Sequence, residues 1–338
     1  MLIERPYLLF LGDAHDQLAA KTAAGIAQWR RDWCLGQLRV DGCRADVGLP
    51  DLDLEQARER GARTLVIGVA NRGGKIGASW QSTLLRALDL GFDIASGLHQ
   101  RVADLPGMAE RARALGRRIA DVRHPQQAFE VGTGSKRPGK RLLTVGTDCS
   151  VGKMYASLAL EAEMRRRGMK ADFRATGQTG ILIAGDGVSV DGVISDFVAG
   201  AAEGLSPAND PDHWDLVEGQ GSLFHASFAG VSLGLLHGSQ PDAMVLCTEP
   251  GRPHMRGLPG VPLPEIDDCI SLNERCARLT NPAARVIGLA CNTSALLPAE
   301  AARVMRELED RHRLPCVDPV RTGVAAIVDR LDHTRRPK

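Results

Sequence analysis

Residues 146–154, with the sequence GTDCSVGKM, constrain the possible folds of this chain more than any other stretch. They follow the apolar run 142–145 and precede a helical pattern over residues 155–167. A strand, a turn with glycine at both ends, and Gly152-Lys153 leading into a helix form the spacing of a phosphate-binding P-loop. Glycines let backbone N–H groups converge on a phosphate oxygen, while the helix N-terminus and the lysine add positive charge. The stretch therefore predicts an anion-binding loop in an α/β domain.

The residue that follows Lys153 departs from the usual P-loop pattern. A Ser or Thr hydroxyl normally holds Mg²⁺ at this position, and here the residue is Met154. A thioether is a poor ligand for a hard cation, so we expect phosphate binding without a metal and without ordinary Mg-ATP hydrolysis. The predicted phosphate contacts comprise the whole loop: Gly146, Thr147, Asp148, Cys149, Ser150, Val151, Gly152, Lys153 and Met154.

Length and charge limit the class of protein. The 338 residues suffice for two domains, each with its own core. Because 42 basic and 41 acidic residues leave a net charge near zero, we expect neither a nucleic-acid nor a membrane partner, and we interpret the basic residues 333–338 as a frayed terminus. The apolar run near the N-terminus is too short for a membrane span and lacks a signal-peptide pattern. A cytoplasmic enzyme is the default expectation.

The eight cysteines form no CxxC pair and have no histidine spacing that would indicate a zinc site. Most of them adjoin apolar segments, so we interpret them as reduced core residues. Cys149 lies inside the P-loop, where two interpretations stay open: a small side chain that suits a tight loop, or a nucleophile that takes an acyl group.

Apolar runs alternate with helical patterns along the chain, which predicts open parallel sheets built from βαβ units. Predicted strands cover residues 7–11, 37–40, 64–69, 93–96 and 118–122, and a second sheet of about five strands surrounds the P-loop. Residues 132–141 have the Gly, Ser, Pro and Lys content of an exposed linker. The expected α/β organisation is a Rossmann-like N-terminal domain (1–131), the linker (132–141), and a P-loop NTPase-like domain (142–338).

Polar residues follow several predicted strands, where an open α/β sheet forms its ligand crevice. In the first domain, Arg72 and Lys75 flank two glycines, an arrangement that suits an anion or a neighbouring subunit. In the second domain, further candidates for substrate binding follow later strands: Thr176, Gln178, Thr179, Gln220 and Asn292.

Glu218 ends a predicted strand and precedes a Gly-rich turn, a position that faces the phosphate site in P-loop proteins. Because Met154 offers no metal ligand, Glu218 is a candidate base. A structural carboxylate that bonds to the P-loop backbone is an equal alternative.

Residues 248–264 contain five prolines and three glycines, which exclude regular structure and predict a long loop. Loops of this length in a compact domain are usually lids or ligand-binding segments. Arg252 and Arg256 are candidates to hold a substrate carboxylate through their guanidinium groups, and His254 is a second candidate base.

With these motifs in hand, a resemblance can be stated. The sequence GTDCSVGK resembles the P-loop of dethiobiotin synthetase and related amidotransferase-type proteins, in which a Thr follows the lysine. Nearly the whole chain more closely resembles a family long catalogued as a domain of unknown function with a P-loop-like C-terminal domain. The segments that carry this resemblance are ANRGGK, SGLH, TGQTGI, VEGQGS and DPVRTG. Members of that family act as D-glutamate N-acetyltransferases.

The resemblance implies an acyltransferase that moves acetyl from acetyl-CoA to the amine of a D-amino acid, most simply D-glutamate, in D-amino-acid catabolism. Coenzyme A carries a pyrophosphate and a 3′-phosphate, which a P-loop without a metal ligand could hold by backbone amides and Lys153. The alternatives are an ATP-dependent ligase or kinase in the manner of dethiobiotin synthetase, and a sensor that binds a nucleotide or acyl-CoA without turnover. By analogy with parallel α/β enzymes, we expect a homo-oligomer.

Overall fold

The structure is a computed structural model that describes residues 2–71, 73–125 and 127–332. Arg72, a predicted anion contact, and residues 333–338, the predicted frayed terminus, lie outside the described residues. The described chain divides into two compact units. The first comprises the chain up to residue 127 together with 177–192, and the second comprises 128–176 and the chain from 193 onward.

The first unit is built around a five-stranded sheet with the strand order β2-β1-β3-β4-β5, in which all pairs are parallel. Its strands are β1 (Tyr7–Gly12), β2 (Cys34–Arg39), β3 (Thr64–Ile67), β4 (Asp93–Ser96) and β5 (Ile119–Asp121). Its helices are α1 (Lys21–Trp29), α2 (Leu54–Glu59), α3 (Gln81–Asp89), α4 (Met108–Ala114) and α6 (Gln178–Ala184).

Apolar side chains form the core around this sheet. Every residue of β1, β3 and β4 is buried, which is the pattern of parallel strands covered on both faces. Leu8 and Phe10 of β1 belong to one core cluster with Leu65 of β3, and Trp80 packs its ring edge-on against Phe10 at 5.5 Å between centroids. The predicted positions of these strands follow from the same apolar runs.

The second unit is built around a six-stranded parallel sheet with the order β11-β10-β9-β6-β8-β7, where about five strands were expected. Its strands are β6 (Lys140–Gly146), β7 (Ala171–Arg174), β8 (Trp214–Val217), β9 (Ala243–Thr248), β10 (Arg285–Cys291) and β11 (Cys316–Val317). Its helices are α5 (Lys153–Arg166), α7 (Val198–Leu205), α8 (Ala229–Ser239), α9 (Ile266–Ala277), α10 (Pro298–His312) and α11 (Ala325–Asp332). Among the described helices of both units, none combines the length and apolar character of a membrane span.

The strand order of the second sheet reverses around β6. Strands β8 and β7 lie on one side of it, and β9, β10 and β11 lie on the other. In open α/β sheets, ligands bind at the carboxyl ends of the strands where the order reverses. The loop that follows β6, residues 147–152, lies at this place, between the carboxyl ends of β8 and β9. The two parallel sheets confirm the predicted α/β fold class.

Residues 177–192 belong to the first unit, a feature that the predicted single boundary did not include. Helix α6 contacts α1, and the N–H of Ile3 donates to the carbonyl of Gly185 at 2.7 Å. The apolar run Ile181, Leu182 and Ile183 is buried. This short helix of the first unit therefore follows β6, α5 and β7 of the second unit in the chain.

Residues 132–141, the predicted exposed linker, are exposed over residues 132–136, and arginines at their C-terminal end contact the second unit. They have no regular structure before Lys140, where β6 begins. The Arg137 side chain donates to the carbonyls of Ser206 and Gly238. The fully buried Arg141 side chain also donates to the carbonyl of Ser206. The buried Arg141 and the partly buried Arg137 thus donate to loop carbonyls, so two arginines that look like part of a polar linker in sequence have structural contacts.

Candidate phosphate-binding site

The loop between β6 and α5 has the backbone of an anion-binding turn. Ser150 and Gly152 have positive φ angles of 56° and 98°, and Gly152 precedes the first residue of α5. A Cβ on Gly146 would lie 2.9 Å from Val151 Cγ2 and 3.1 Å from Lys153 Nζ. Glycine is therefore required at the first position for close packing and at Gly152 for its left-handed conformation. The N-terminus of a 14-residue helix follows directly, which favours negative charge at the loop.

Lys153 places a cation inside the loop. Its side chain is 7% exposed, and Nζ donates to the carbonyls of Asp148 and Gly221, each at 2.8 Å. Burial lowers the pKa of the ammonium group. The lysine thus joins the P-loop to the Gly-rich turn after β8 and holds its charge beside the backbone amides of the loop.

Asp148 is a buried carboxylate that binds the long loop 248–264. Its Oδ2 accepts from Arg252 Nη1 at 2.7 Å and from the Arg256 N–H at 2.8 Å, and its Oδ1 accepts from the Cys149 N–H. Burial acts to raise the pKa of this carboxyl. The hydrogen bonds from Arg252, Arg256 and Cys149 outweigh burial and hold the pKa below its ordinary value.

Arg252 fastens the long loop to the P-loop. Besides Asp148, its guanidinium donates to the carbonyls of Cys149 and Ser150 and to the carboxylate of Glu249. Four partners therefore occupy the planar group in this structure, and the predicted contact of Arg252 with a substrate carboxylate stays a prediction. Arg256, which the same prediction named, is exposed at its side chain.

Glu218, Thr176 and Gln220 form one polar network at the carboxyl ends of β7 and β8. The Thr176 N–H donates to Glu218 Oε2 at 3.0 Å, and its hydroxyl donates to the Glu218 carbonyl at 2.6 Å. Gln220 Nε2 donates to the same hydroxyl at 3.1 Å. Glu218 is 4% exposed, so its carboxylate is held in one orientation close to the charge of Lys153. The structure thus brings together three of the predicted site residues.

Gly219 lets β8 approach the P-loop strand closely. Its N–H donates to Thr144 Oγ1 at 3.0 Å, and a Cβ at this position would lie 1.7 Å from the Thr144 carbonyl oxygen. No side chain fits there without moving the backbone. The glycine of the VEGQGS segment is therefore what allows Glu218 to lie beside the phosphate loop.

His225 is a buried residue of the site that the sequence interpretation missed. Its Nε2 lies 3.0 Å from the carbonyl of Arg256, and its ring packs on Phe228 with centroids 4.6 Å apart. Ligand atoms of His225, Asp148 and Cys149 lie within 4.8 Å of one another. Since Nε2 donates to a carbonyl, Nδ1 is the acceptor nitrogen, and it receives the Ser227 N–H at 3.2 Å. The available signal was its place directly after the Gly-rich turn.

Cys149 faces this histidine from the P-loop. Burial raises the pKa of its thiol, and the nearby charge of Lys153 opposes the shift without cancelling it. The thiol is therefore protonated at neutral pH. This favours the interpretation of Cys149 as a small residue in a tight loop.

His254 lies on the long loop, and its ring is partly exposed. Nδ1 lies 3.0 Å from the Met255 carbonyl and donates to it, so Nε2 carries the lone pair. Its predicted role as a second base requires this tautomer. The thioether of Met154 is partly buried at the first turn of α5 and supplies no hard oxygen ligand.

The remaining predicted substrate residues of the first unit are exposed or partly buried. Lys75 is exposed. Its backbone N–H donates a hydrogen bond to Asn71 Oδ1, and Asn71 Nδ2 donates one to its carbonyl. Gln178 and Thr179 begin α6 and pack near Gly97 and Gly25. Their predicted contacts with substrate stay predictions.

Asn292 borders a cavity of about 240 Å³ in the second unit. The cavity lies beside the P-loop, between Val151, Tyr155 of α5, and the residues that follow β10 and β11. Asn292 was predicted to contact substrate, and the structure places its amide at a cavity wall instead of at the Glu218 network.

A parallel sheet whose central strand leads into a glycine-flanked loop, a buried lysine and a helix N-terminus defines a P-loop protein. Comparison with known families agrees with this class. Residues 38–125 match the Rossmann-like domain DUF1611_N, and residues 130–328 match the P-loop domain DUF1611_C, both described as domains of unknown function. The chain belongs to this family.

Two relatives named D-glutamate N-acetyltransferase are similar over nearly the whole chain. That of Tritonibacter scottomollicae is 54% identical over 330 residues, covering 98% of this chain and 99% of the relative. That of a Pseudoalteromonas species is 49% identical over 331 residues, covering 98% and 100%. A crystal structure of a DUF1611 family protein from Anabaena variabilis has a TM-score of 0.83 and 31% identity, covering 98% of this chain and 100% of that one. The predicted family and the predicted acyltransferase class are confirmed.

Proposed function

We propose that this protein is an N-acetyltransferase that moves an acetyl group from acetyl-CoA to the amine of D-glutamate, within D-amino-acid catabolism. The P-loop holds the phosphates of coenzyme A and does not hydrolyse them. The reaction is supported by the two relatives, which carry the name D-glutamate N-acetyltransferase at 54% and 49% identity. A donor that carries phosphates is supported by the buried lysine and the helix N-terminus at the P-loop.

The observation that carries the proposal is a P-loop that retains its buried lysine and has Met154 in place of the metal-binding hydroxyl. Lys153 and the N-terminus of α5 supply positive charge for a pyrophosphate. Transfer of an acetyl group breaks a C–S bond and no P–O bond, so the phosphates serve as a handle. A metal at the phosphates is needed to neutralise charge during phosphoryl transfer, and acyl transfer makes no such demand.

The chemistry requires a base, an oxyanion contact and cations. A base takes a proton from the substrate ammonium, the free amine attacks the thioester carbonyl, and the thiolate of coenzyme A leaves and is protonated. Glu218 is the first candidate base because Thr176 fixes its carboxylate. His254 is the second. Backbone N–H groups near Gly219 are candidates for the oxyanion, and the exposed side chain of Arg256 is a candidate for a substrate carboxylate.

The proposal is tested by mass spectrometry of reactions that contain acetyl-CoA and a panel of D- and L-amino acids. We expect N-acetyl-D-glutamate as the main product, formed equally well in the presence of EDTA. In parallel, ATP is offered with the same amines, and inorganic phosphate is measured. Release of phosphate in step with product, or loss of the reaction in EDTA, would support the ligase or kinase alternative instead.

In acetyl-CoA, the pantetheine arm lies between the thioester and the pyrophosphate. Because Glu218 lies close to Lys153 of the P-loop, the arm must fold back toward the loop if Glu218 is the base. The pH dependence of the rate decides between the two candidates. If Glu218 is the base, Glu218→Gln removes the ascending limb of the profile and lowers the rate by about 100-fold or more. The opposite result assigns the role of base to His254: Glu218→Gln keeps the wild-type rate and the ascending limb of the pH profile, and His254→Asn loses both.

A further inference from the structure

We propose that the cavity beside the P-loop is the subsite for the adenine base of the acyl-CoA donor. The inference rests on the proposed function and adds the part of the donor that is recognised. The cavity has a volume of about 240 Å³ and lies wholly in the second unit. Its walls include Val151, Tyr155, Ala290, Asn292, Pro319 and Val320.

The position of the cavity fixes which part of the ligand enters it. Val151 and Gly152 belong both to the P-loop and to the cavity wall. If the loop holds a phosphate of the ligand, the part of the ligand close to that phosphate therefore occupies the cavity. Its volume is below the range of about 300–1,000 Å³ that holds a whole drug-sized ligand. A bicyclic base with part of its sugar suits this space, whereas a complete coenzyme A does not.

The lining chemistry suits a purine. Val151, Ala290 and Val320 give apolar walls, and Tyr155 adds an aromatic residue to the lining, the kind of side chain on which bases stack. Asn292 Oδ1 accepts the Ser294 N–H at 3.2 Å, which orients the amide. An oriented Asn amide offers a donor and an acceptor side by side, the pair that recognises the N7 and N6 positions of adenine.

The same lining is unsuited to the amino-acid substrate. D-glutamate carries two carboxylates, which need cationic partners, and the lining residues include no Lys or Arg. The one charged residue of the lining is Asp318, a carboxylate, which accepts the hydroxyl and N–H of Thr293. Its hydrogen bonds with Thr293, Val320 and Arg321 keep the pKa of Asp318 low although burial acts to raise it. The cavity is therefore on the donor side of the reaction.

The test compares two donors. Acetyl-CoA contains the adenosine part, and acetyl-4′-phosphopantetheine carries the same thioester on the same arm without it. We expect Tyr155→Ala and Asn292→Ala each to lower kcat/KM for acetyl-CoA by about tenfold, the order of the loss of one base-stacking contact. Both variants are expected to leave kcat/KM for acetyl-4′-phosphopantetheine unchanged. Tyr155→Phe, which keeps the ring, and Leu279→Ala, at a residue that is 76% exposed, are the matched controls.

The possible outcomes separate this inference from the proposed function. An equal loss with both donors, or no loss with acetyl-CoA, overturns the adenine subsite while the transferase stands. If the wild-type protein acetylates nothing with acetyl-CoA, the proposed function fails, and the subsite is then decided by calorimetric binding of adenosine 3′,5′-bisphosphate. Binding that weakens about tenfold in Tyr155→Ala but not in Tyr155→Phe supports the subsite. Equal binding by all three proteins refutes it.

Discussion

Lys153 has a structural role in the P-loop and, in the proposed function, an electrostatic role toward the phosphates of the donor. Its Nζ is bonded to the carbonyls of Asp148 and Gly221, so the side chain keeps the P-loop and the turn after β8 together. The hydrogen-bond partners of this buried cation are neutral carbonyls, and the nearby carboxylates of Asp148 and Glu218 favour its charged form. That charge favours an anion in the loop, because burial weakens the screening by water.

Replacing Lys153 by methionine tests this use of charge. We expect the KM for acetyl-CoA to rise by about ten- to 100-fold, since a hydrogen bond to a charged group contributes about 1.5–3 kcal/mol. The KM for D-glutamate is expected to stay near the wild-type value. Steady-state kinetics with each substrate varied in turn measures both, and Lys170→Met, which removes an exposed lysine, is the control. An equal rise in both KM values would contradict a role for Lys153 at the donor.

Gly219 is a position at which the fold leaves no room for a side chain. A Cβ there would overlap the Thr144 carbonyl oxygen at 1.7 Å, so we expect Gly219→Ala to lower the free energy of unfolding by about 3 kcal/mol or more. Gly204 is the matched control, since it lies in α7 with no atom within 4 Å of a Cβ. Gly204→Ala is expected to raise the stability by about 0.5–1 kcal/mol. Urea denaturation measures both changes, and equal effects of the two substitutions would show that the close approach is not limiting.

At the scale of elements, the long loop 248–264 is fastened to the P-loop through Asp148 and Arg252. A double-mutant cycle of Asp148→Asn and Arg252→Met is expected to give a coupling energy of about 1.5–3 kcal/mol, because the pair is buried and directly bonded. The exposed pair Arg303–Glu307 is the control, and its coupling is expected to be below about 1 kcal/mol. Denaturant unfolding of the four proteins of each cycle provides the measurement.

The pH dependence of the contact between the long loop and the P-loop follows from the lowered pKa of Asp148. The folded pKa lies below the ordinary value of 3.8, so ionised Asp148 contributes stability that is complete above pH 3.8 and is lost as the pH falls through the folded pKa. We expect amide hydrogen exchange in residues 249–264 to be slow at neutral pH and to gain an extra opening below about pH 4. Asp148→Asn should show the faster exchange at neutral pH as well. Identical exchange in both proteins at pH 7 would mean that other contacts hold the loop.

Local signals were sufficient for most elements of the fold. The apolar runs of β1, β4 and β6 are buried on both faces, and such runs are visible in sequence. Glycine spacing likewise indicated the P-loop. The contact of Arg252 with Asp148 was beyond such reasoning, because Asp148 lies 104 residues away and a guanidinium fits a substrate or a protein carboxylate equally well. His225 was missed because a single histidine after a turn has no periodic pattern.

At the scale of the whole molecule, the chain forms the first unit from two separate segments. Local patterns indicated the alternation of strands and helices but gave no information on where α6 packs, since its seven residues carry an apolar run that would suit either sheet. Its contacts with α1 place it in the first unit, where Ile181, Leu182 and Ile183 are buried. Consequently the boundary in sequence and the boundary in space differ.

This discontinuity predicts the behaviour of fragments. Residues 1–131 alone would expose the face of α1 that α6 contacts and would lose the hydrogen bond from Ile3 to Gly185. We expect this fragment to bind a hydrophobic dye and to unfold without a sharp transition. Fusing residues 177–192 to its C-terminus through a flexible Gly/Ser linker is expected to restore a cooperative thermal transition, because the missing helix is supplied at high effective concentration. The same fusion with Ile181→Asp and Ile183→Asp is the control. Cooperative unfolding of residues 1–131 by themselves would show that the first unit does not need its second segment.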